Sequence, residues 1–514
     1  MTKLQTRWML LLVFFLCCLP AWFTARAELP SSQPRIEVTI DPSLVTNPPA
    51  VGRLVVILSK ASRPTDLRRN IGQTGMNAPP IFGTDVKGFH AQHVATLDEQ
   101  SAAFPIASLK DLPAGAYLAQ AVFMTNRDLN LPHAPGNLFS KPVTIQWGTT
   151  TTPRLTLTEK EPEEKLPPDT DQIKFLMFPS KLLSDFHGRP MVYRAAVILP
   201  ADFAKQPERR YPLCVNIGGF GTRFTMARMM GADGRRANSD IAFVRLLLDG
   251  AGPFGDPYHV NSANNGPYGD ALTQELIPYV EKTYRCIGQP YARFTTGAST
   301  GGWVSLALQL FYPDFFNGCW SSCPDPVDFR CYELINIYED ANAYVNRFGF
   351  ERPAKRNVDG DTIYTLRHEC QVENVLGMGD NWAMGGKDWA SWNATFGPKG
   401  ADGLPKPLWH PKTGQIDRSV TEHWKQYDLR LFVEKNWSTL GPKVNGKIHI
   451  WVGDADDYFL NNAVHRLKAT FERQKQPTFQ GTIVIAPRLP HTSGWSNQEI
   501  YKQMASRMNE TAPR

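Results

Sequence analysis

The sequence predicts a two-part chain: an all-β segment followed by a larger α/β segment built on a mainly parallel sheet. Three observations point there. Residues 28–157 contain short apolar runs parted by Pro/Gly turns. Beyond residue 172, apolar β-type runs alternate with helical patterns. Between the two, residues 158–171 read TEKEPEEKLPPDTD, charged and proline-bearing with no apolar periodicity, which is how a linker reads.

The first 27 residues form a separate unit. Lys3 and Arg7 precede an apolar core at 9–19, and Ala25-Arg26-Ala27 places small residues at cleavage positions. This is the pattern of a secretory signal peptide cut after Ala27, its core too short for a comfortable membrane span. The expected product is secreted or periplasmic, with no stable membrane insertion after cleavage. About 487 residues remain, enough for two or three domains. The formal charge of +6 falls to +3 once Lys3, Arg7 and Arg26 leave with the signal peptide. That balance is too mild to call for nucleic acid, and no basic tract, zinc-type cysteine spacing or internal repeat asks for it. Six cysteines remain, and an even number in an exported chain permits disulfides. At least one is expected among Cys286, Cys319, Cys323, Cys331 and Cys370. Buried free thiols are the alternative for Cys214 and Cys319, which fall in apolar runs.

In the β segment, Ile36, Val38 and Ile40 alternate as one face of a strand, and 54–58 is a continuous apolar run. A turn at 112–115 leads into 117–124, and strands at 143–147 and 155–157 close the segment. This spacing predicts a small Ig-like β-sandwich. His90 and His93 form an HxxH pair without a third ligand and read as surface loop. In the α/β segment, 172–510, strand candidates fall at 173–178, 193–199, 213–217, 241–248, 293–296, 318–321, 448–452 and 483–486. Leu272, Leu276, Ile277 and Val280 are at helical spacing, as are Trp303, Leu306, Ala307 and Leu310. Roughly 125 residues separate the sixth strand from the seventh, too many for an ordinary loop. Residues 325–446 therefore read as a cap insertion carrying Trp382, Trp389, Trp392, Trp409, Trp424 and Trp437.

Gly297-Ala298-Ser299-Thr300-Gly301-Gly302 lies between the fifth strand and an amphipathic helix. A Gly-x-Ser-x-Gly turn in that context is a nucleophile elbow, and with about eight mostly parallel strands it predicts an α/β-hydrolase fold. Serine needs a base to take its proton, and the imidazole base needs a carboxylate to fix its tautomer. In this fold the order is Ser, then acid, then His. Gly453-Asp454-Ala455-Asp456-Asp457 follows the seventh strand, and Pro487-Arg488-Leu489-Pro490-His491 follows the eighth. Loops at those strand ends gather at one sheet edge, where ligands bind. Asp456 is the expected acid, with Asp457 second and Asp454 third; at least one of these acids should cap the helix that follows. His491 is the expected base, over His465 within a helical pattern. The oxyanion donors expected are the N–H of Thr300 and, from the loop Gly218-Gly219-Phe220-Gly221, the N–H of Phe220 or Gly219.

The polar loop 256–266 follows the fourth strand and offers His259, Asn264 and Asn265 as substrate contacts, with Trp303 behind the elbow; the asparagines equally fit loop backbone satisfaction. The cap tryptophans read first as core of an irregular insertion and second as a stacking surface for a sugar or aromatic acyl group. The acidic run 358–361 lacks enough liganding positions for calcium. No metal and no organic cofactor is called for.

These residues resemble the esterase group of α/β-hydrolases that includes esterase D-like, feruloyl-esterase-like and enterochelin-esterase-like proteins. The resemblance covers about 171–510 and rests on 297–303, 268–285, Gly218-Gly219-Phe220, 453–460 and His491. The glycine-rich loop departs from the group in having Ile217 where a histidine often precedes the glycines. The resemblance implies hydrolysis of carboxylic esters or thioesters through an acyl-enzyme, on a small-molecule or carbohydrate ester. Acyl transfer or peptide cleavage on the same fold, or a non-catalytic polysaccharide-binding role, are the alternatives. The N-terminal segment resembles accessory domains of exported bacterial esterases.

Overall fold

The computed structural model describes residues 34–60, 66–75, 77–229 and 242–513. The predicted signal peptide lies outside them. Eight strands form the larger sheet: β1 (Ile173–Ser180), β2 (Met191–Ile198), β3 (Leu213–Ile217), β4 (Val244–Leu248), β5 (Arg293–Ala298), β6 (Cys319–Ser322), β7 (Ile448–Gly453) and β8 (Thr482–Ala486). Their spatial order is β1-β2-β4-β3-β5-β6-β7-β8. β2 runs antiparallel to β1 and β4, and every other pairing is parallel. Every residue of β3 and β6 is buried, whereas the edge strand β8 buries only Ala486. Central parallel strands are covered on both faces and need continuous apolar runs; an edge strand does not.

One face of this sheet is covered by the helices Ile277–Thr283 and Thr300–Phe311, whose Ile277, Val280, Val304, Leu306 and Leu308 join the main core. The other face takes the C-terminal helix Asn497–Thr511, whose Ile500, Tyr501 and Met504 pack on Cys214, Phe294 and Trp320. The helix predicted at 272–284 is a π-helical turn, Ala271–Leu276, running into Ile277–Thr283. None of Cys214, Cys286, Cys319, Cys323, Cys331 and Cys370 is paired, so the expected disulfide is not formed among the described residues. Cys214 and Cys319 sit on central strands but in different cores, Cys214 with the C-terminal helix and Cys319 in the main core, both fully buried as free thiols.

The N-terminal segment is all β. Eight strands link edge to edge, from Ala95–Leu97 at one end of the path to Ala102–Phe104 at the other, with Ala50–Ser59 and Gly115–Met124 as its long central pair, and a ninth, Val143–Trp147, pairs with Gly115–Met124 off the path. Leu97 and Ala103, from opposite ends of the path, share one buried cluster with Leu54, Phe82 and Phe123, so the sheet curls on itself. The opposite face of the long strands is also apolar. Val55, Ile57, Ile81 and Leu118 pack with Val372, Val375 and Leu376 of the cap helix Leu366–Leu376. Arg53 crosses this contact almost fully buried. It donates to Val375 O (2.9 Å) and Asn374 O (3.2 Å) and pairs with Asp85 (2.9 Å) and Asp380 (2.7 Å). The β segment is thus the floor on which the cap stands.

The charged stretch between the two sheets is tied down at its acids. Glu164 pairs with Arg194 (3.1 Å) and Arg223 (2.5 Å), and Asp169 accepts the N–H of Phe175 (3.0 Å).

Candidate active site

Ser299 stands between β5 and the helix Thr300–Phe311 with φ 58° and ψ −123°, a left-handed conformation that costs of order 1–3 kcal/mol for a non-glycine residue. The neighbouring glycines explain how the turn can be so tight. A Cβ on Gly297 or Gly301 would run into the carbonyl of Ile217 at the end of β3, and one on Gly302 into the carbonyl of Ser322 at the end of β6. The elbow is wedged between two strand ends, and only glycine fits there.

The loops after β7 and β8 bring an acid and a histidine together. His491 Nδ1 lies 2.7 Å from Asp456 Oδ2. Asp456 is fully buried, and its other oxygen accepts the N–H groups of Tyr458 (2.9 Å) and Leu460 (3.2 Å). One carboxylate therefore both orders the turn into the next helix and holds the imidazole. Asp457 accepts the backbone N–H of His491 (3.2 Å), and Asp454 accepts that of Arg488. His465 is exposed on the helix Asn461–Arg473. Burial works against a charged His491, but the bond to Asp456 and the adjacent Cys323 thiol outweigh it and raise its pKa to about 11.

Ser299 and His491 line one cavity of about 280 Å³, together with Phe220 of the glycine-rich loop. Gly219 lies against Ser299, where even a Cβ would come within 3.9 Å of the serine Cβ. Thr300 begins the helix, so its N–H is among those without a partner inside that helix. The glycine-rich loop is fixed from behind. Arg223 binds Asp249 (2.7 Å), and Gly250 N–H donates to Thr222 O (2.8 Å).

Asp325 is the residue the sequence reading missed. It follows β6 and accepts the Ser299 hydroxyl on Oδ1 (3.3 Å). Its Oδ2 takes Thr300 Oγ1 (3.1 Å), Trp392 Nε1 (3.1 Å) and the hydroxyl of Tyr258. Burial lifts its pKa, and the bonds from Tyr258 and Trp392 work against the rise. A signal was available: Asp325 lies just past a strand end at the same sheet edge as Asp456 and His491.

The substrate contacts expected from the 256–266 loop are placed elsewhere. His259 is buried, stacked on Tyr193 and bonded to its hydroxyl (2.7 Å). Burial alone pushes its pKa down to about 3. Asn264 donates to Ala394 O (3.0 Å) and Gly397 O (2.9 Å), and Asn265 to Thr395 (3.4 Å). Trp303 is fully buried against Tyr258 and Phe396. All four are buried in packing, Asn264 bonding the cap backbone and Asn265 a cap hydroxyl. Of the cap tryptophans, Trp389 and Trp392 line the cavity, while Trp382, Trp409, Trp424 and Trp437 are core. The β segment also reaches the cavity, through Gly72 and Thr74.

The strand order with the serine elbow after β5 defines an α/β-hydrolase. A family model described as "Putative esterase" matches residues 190–488, and the chain belongs to that family. Among solved structures it is similar to a fluorophosphonate-binding serine hydrolase of Staphylococcus aureus, at 14% identity over 66% of this chain and 98% of that one (TM-score 0.39). It is also similar to an S-formylglutathione hydrolase from Agrobacterium tumefaciens, at 13% identity over 66% and 92% of the two chains (TM-score 0.34). A feruloyl esterase module from Clostridium thermocellum is similar at 10% identity over 67% and 90% (TM-score 0.33). No curated protein sequence matches the chain.

Proposed function

We propose that the protein hydrolyses carboxylic esters through an acyl-enzyme on Ser299. His491 acts as general base and then general acid, and Asp456 holds it. The observation that carries this reading is the meeting, in one cavity, of a serine on a left-handed elbow and a histidine bonded to a buried carboxylate. Ser299 Oγ attacks the ester carbonyl while His491 takes its proton. The N–H groups of Thr300 and of Phe220 or Gly219 receive the oxyanion. The alcohol leaves with the proton from His491, and water then repeats the sequence on the acyl-enzyme. The Ser299 hydroxyl rests on Asp325, so attack requires it to turn from that acid to the imidazole. Turnover of a short-chain aryl ester tests the reading. Ser299→Ala should reduce kcat by about 10³-fold or more with its melting temperature kept, and unchanged turnover would refute it.

We also propose, from the pattern of residues 1–27, that the protein works outside the cytoplasm. The exported product should begin at Glu28. A chain still beginning at Met1 in the cell's soluble interior would overturn this.

A further inference from the structure

The wall of the cavity facing the cap is more acidic than the proposed chemistry uses. Besides Ser299 and His491 it is lined by Asp325, Glu333, Glu369, Glu373 and Asp388, with Lys387 as the one lysine among the described residues. Two of these acids have structural employment. Glu373 accepts the N–H groups of Trp389 (2.9 Å) and Ala390 (3.1 Å) and so caps the helix Asp388–Phe396. Asp325 binds the groups already described. Glu369 is partly used, accepting Trp389 Nε1 (2.8 Å) and the Tyr364 hydroxyl (3.5 Å).

Glu333 is different. It is 3% exposed, lines the cavity, and its Oε2 is buried without a hydrogen-bond partner. A buried carboxylate oxygen left unpaired is costly, the more so if it stays charged, so folds rarely keep one without a use. Its backbone is also held at φ 50°. Burial and the nearby Glu369 and Asp388 push the Glu333 pKa well up. The same forces bring Glu369 to about 7, through burial and Asp388, and Asp388 to about 6, through burial offset in part by Lys387. Five carboxyls thus share the cavity with two basic groups, Lys387 and His491, and His491 is already paired with Asp456. Four aromatic side chains, Trp389, Trp392, Tyr364 and Tyr458, stand among the remaining lining residues. Aromatic faces attract a cation that has shed its water, and carboxylates complete its neutralisation. A neutral polyol would bond to the oxygens but leave their mutual repulsion in place.

We infer that this acidic, aromatic wall is a cation subsite and that the esters preferred at Ser299 carry an ammonium group. The inference rests on the esterase reading for the word ester; the cation subsite itself does not. The ammonium can belong to the alcohol or to the acyl group, and matched substrates separate the two. Acetylcholine against 3,3-dimethylbutyl acetate places the charge on the alcohol. Glycine ethyl ester against ethyl propionate places it on the acyl side.

The cationic member of one pair should have a kcat/KM about tenfold or more above its neutral isostere. In Glu333→Gln and in Asp388→Asn that ratio should fall toward one. A second readout is independent of turnover: calorimetric binding of tetramethylammonium to Ser299→Ala protein, with tert-butanol as the neutral control. Saturable binding that weakens several-fold when Glu333→Gln or Asp388→Asn is added supports the subsite. No binding, binding indifferent to both substitutions, or equal kcat/KM within both pairs overturns it. If no ester is turned over and a fluorophosphonate does not label Ser299, the esterase reading fails, and the binding arm still decides the subsite. Asp388→Asn serves if Glu333→Gln does not fold.

Discussion

Around Ser299 the charges are arranged so that pH controls the base. In the proposed reaction, proton abstraction needs neutral His491, and its pKa stands near 11 against an ordinary 6.5. The rate should therefore rise with pH on a limb well above the usual histidine range. Asp456→Asn should bring that limb down toward 6.5 and lower kcat by about 10³–10⁴-fold, because the imidazole loses both its counter-charge and its fixed tautomer. A kcat/KM–pH profile of the two proteins checks this; a wild-type limb near 6.5 would contradict it. Stability follows the same sign. The raised pKa means the protonated His491–Asp456 pair stabilises the fold fully below about 6.5, a contribution lost as pH climbs through the folded value. At this scale the elbow was legible because its requirement is local: three glycines and a serine within six residues. Asp456 and His491 were readable from strand ends. Asp325 obeys the same positional rule but stands outside the Ser–acid–His order, which drew attention away from it. His259, Asn264 and Asn265 misled because a polar loop at the right sheet edge can face inward to buried hydroxyls and cap backbone as readily as outward to a ligand.

The cap helix Leu366–Leu376 is the element on which the site depends most, since it brings Glu369, Val372 and Glu373 to the cavity and packs Val372, Val375 and Leu376 on the β segment. Its apolar side is held by the β segment. A Cβ on Gly83 would collide with the Val375 carbonyl, so backbone and helix meet directly there. Arg53 then fastens the helix's C-terminal carbonyls, where a cation also meets the negative end of the helix dipole. Arg53→Ala should cost about 2–4 kcal/mol, because Asp85, Asp380 and two carbonyls lose their donor. It should also raise KM, because the helix that lines the cavity is released. Urea unfolding and steady-state kinetics measure the two effects. A stability loss with KM untouched would mean the helix keeps its place without Arg53. The eight sheet strands were legible as apolar runs, and the helix behind the elbow as a 3.6-residue pattern. The cap was not. Its helices are short, its tryptophans are spent mostly on one another, and no period announces which residue faces the cavity.

The whole molecule joins what the sequence divides. The stretch 158–171 reads as a linker because its charges are unpaired in sequence; in the fold Glu164 finds Arg194 and Arg223, 30 and 59 residues away. The all-β segment reads as separable because it closes its own core, and its second apolar face has no periodic partner nearby. That partner is the helix Leu366–Leu376, about 250 to 320 residues further along. Fully burying a Val or Leu side chain is worth about 1.5–3 kcal/mol. Val372, Val375 and Leu376 together thus supply about 5–9 kcal/mol, comparable with the net stability of a whole domain. Exposing that contact would leave both sides with an apolar patch in water, so neither sheet should melt while the other stays folded. Calorimetry should give one unfolding transition for the two segments, with the loss of ester hydrolysis coincident with it. A chain beginning at residue 161 should be poorly soluble and inactive, lacking both the cap's floor and the Gly72–Thr74 wall of the cavity. Two separate transitions, or full activity in the shortened chain, would show instead that the β segment is a passenger and that the cap holds its shape alone.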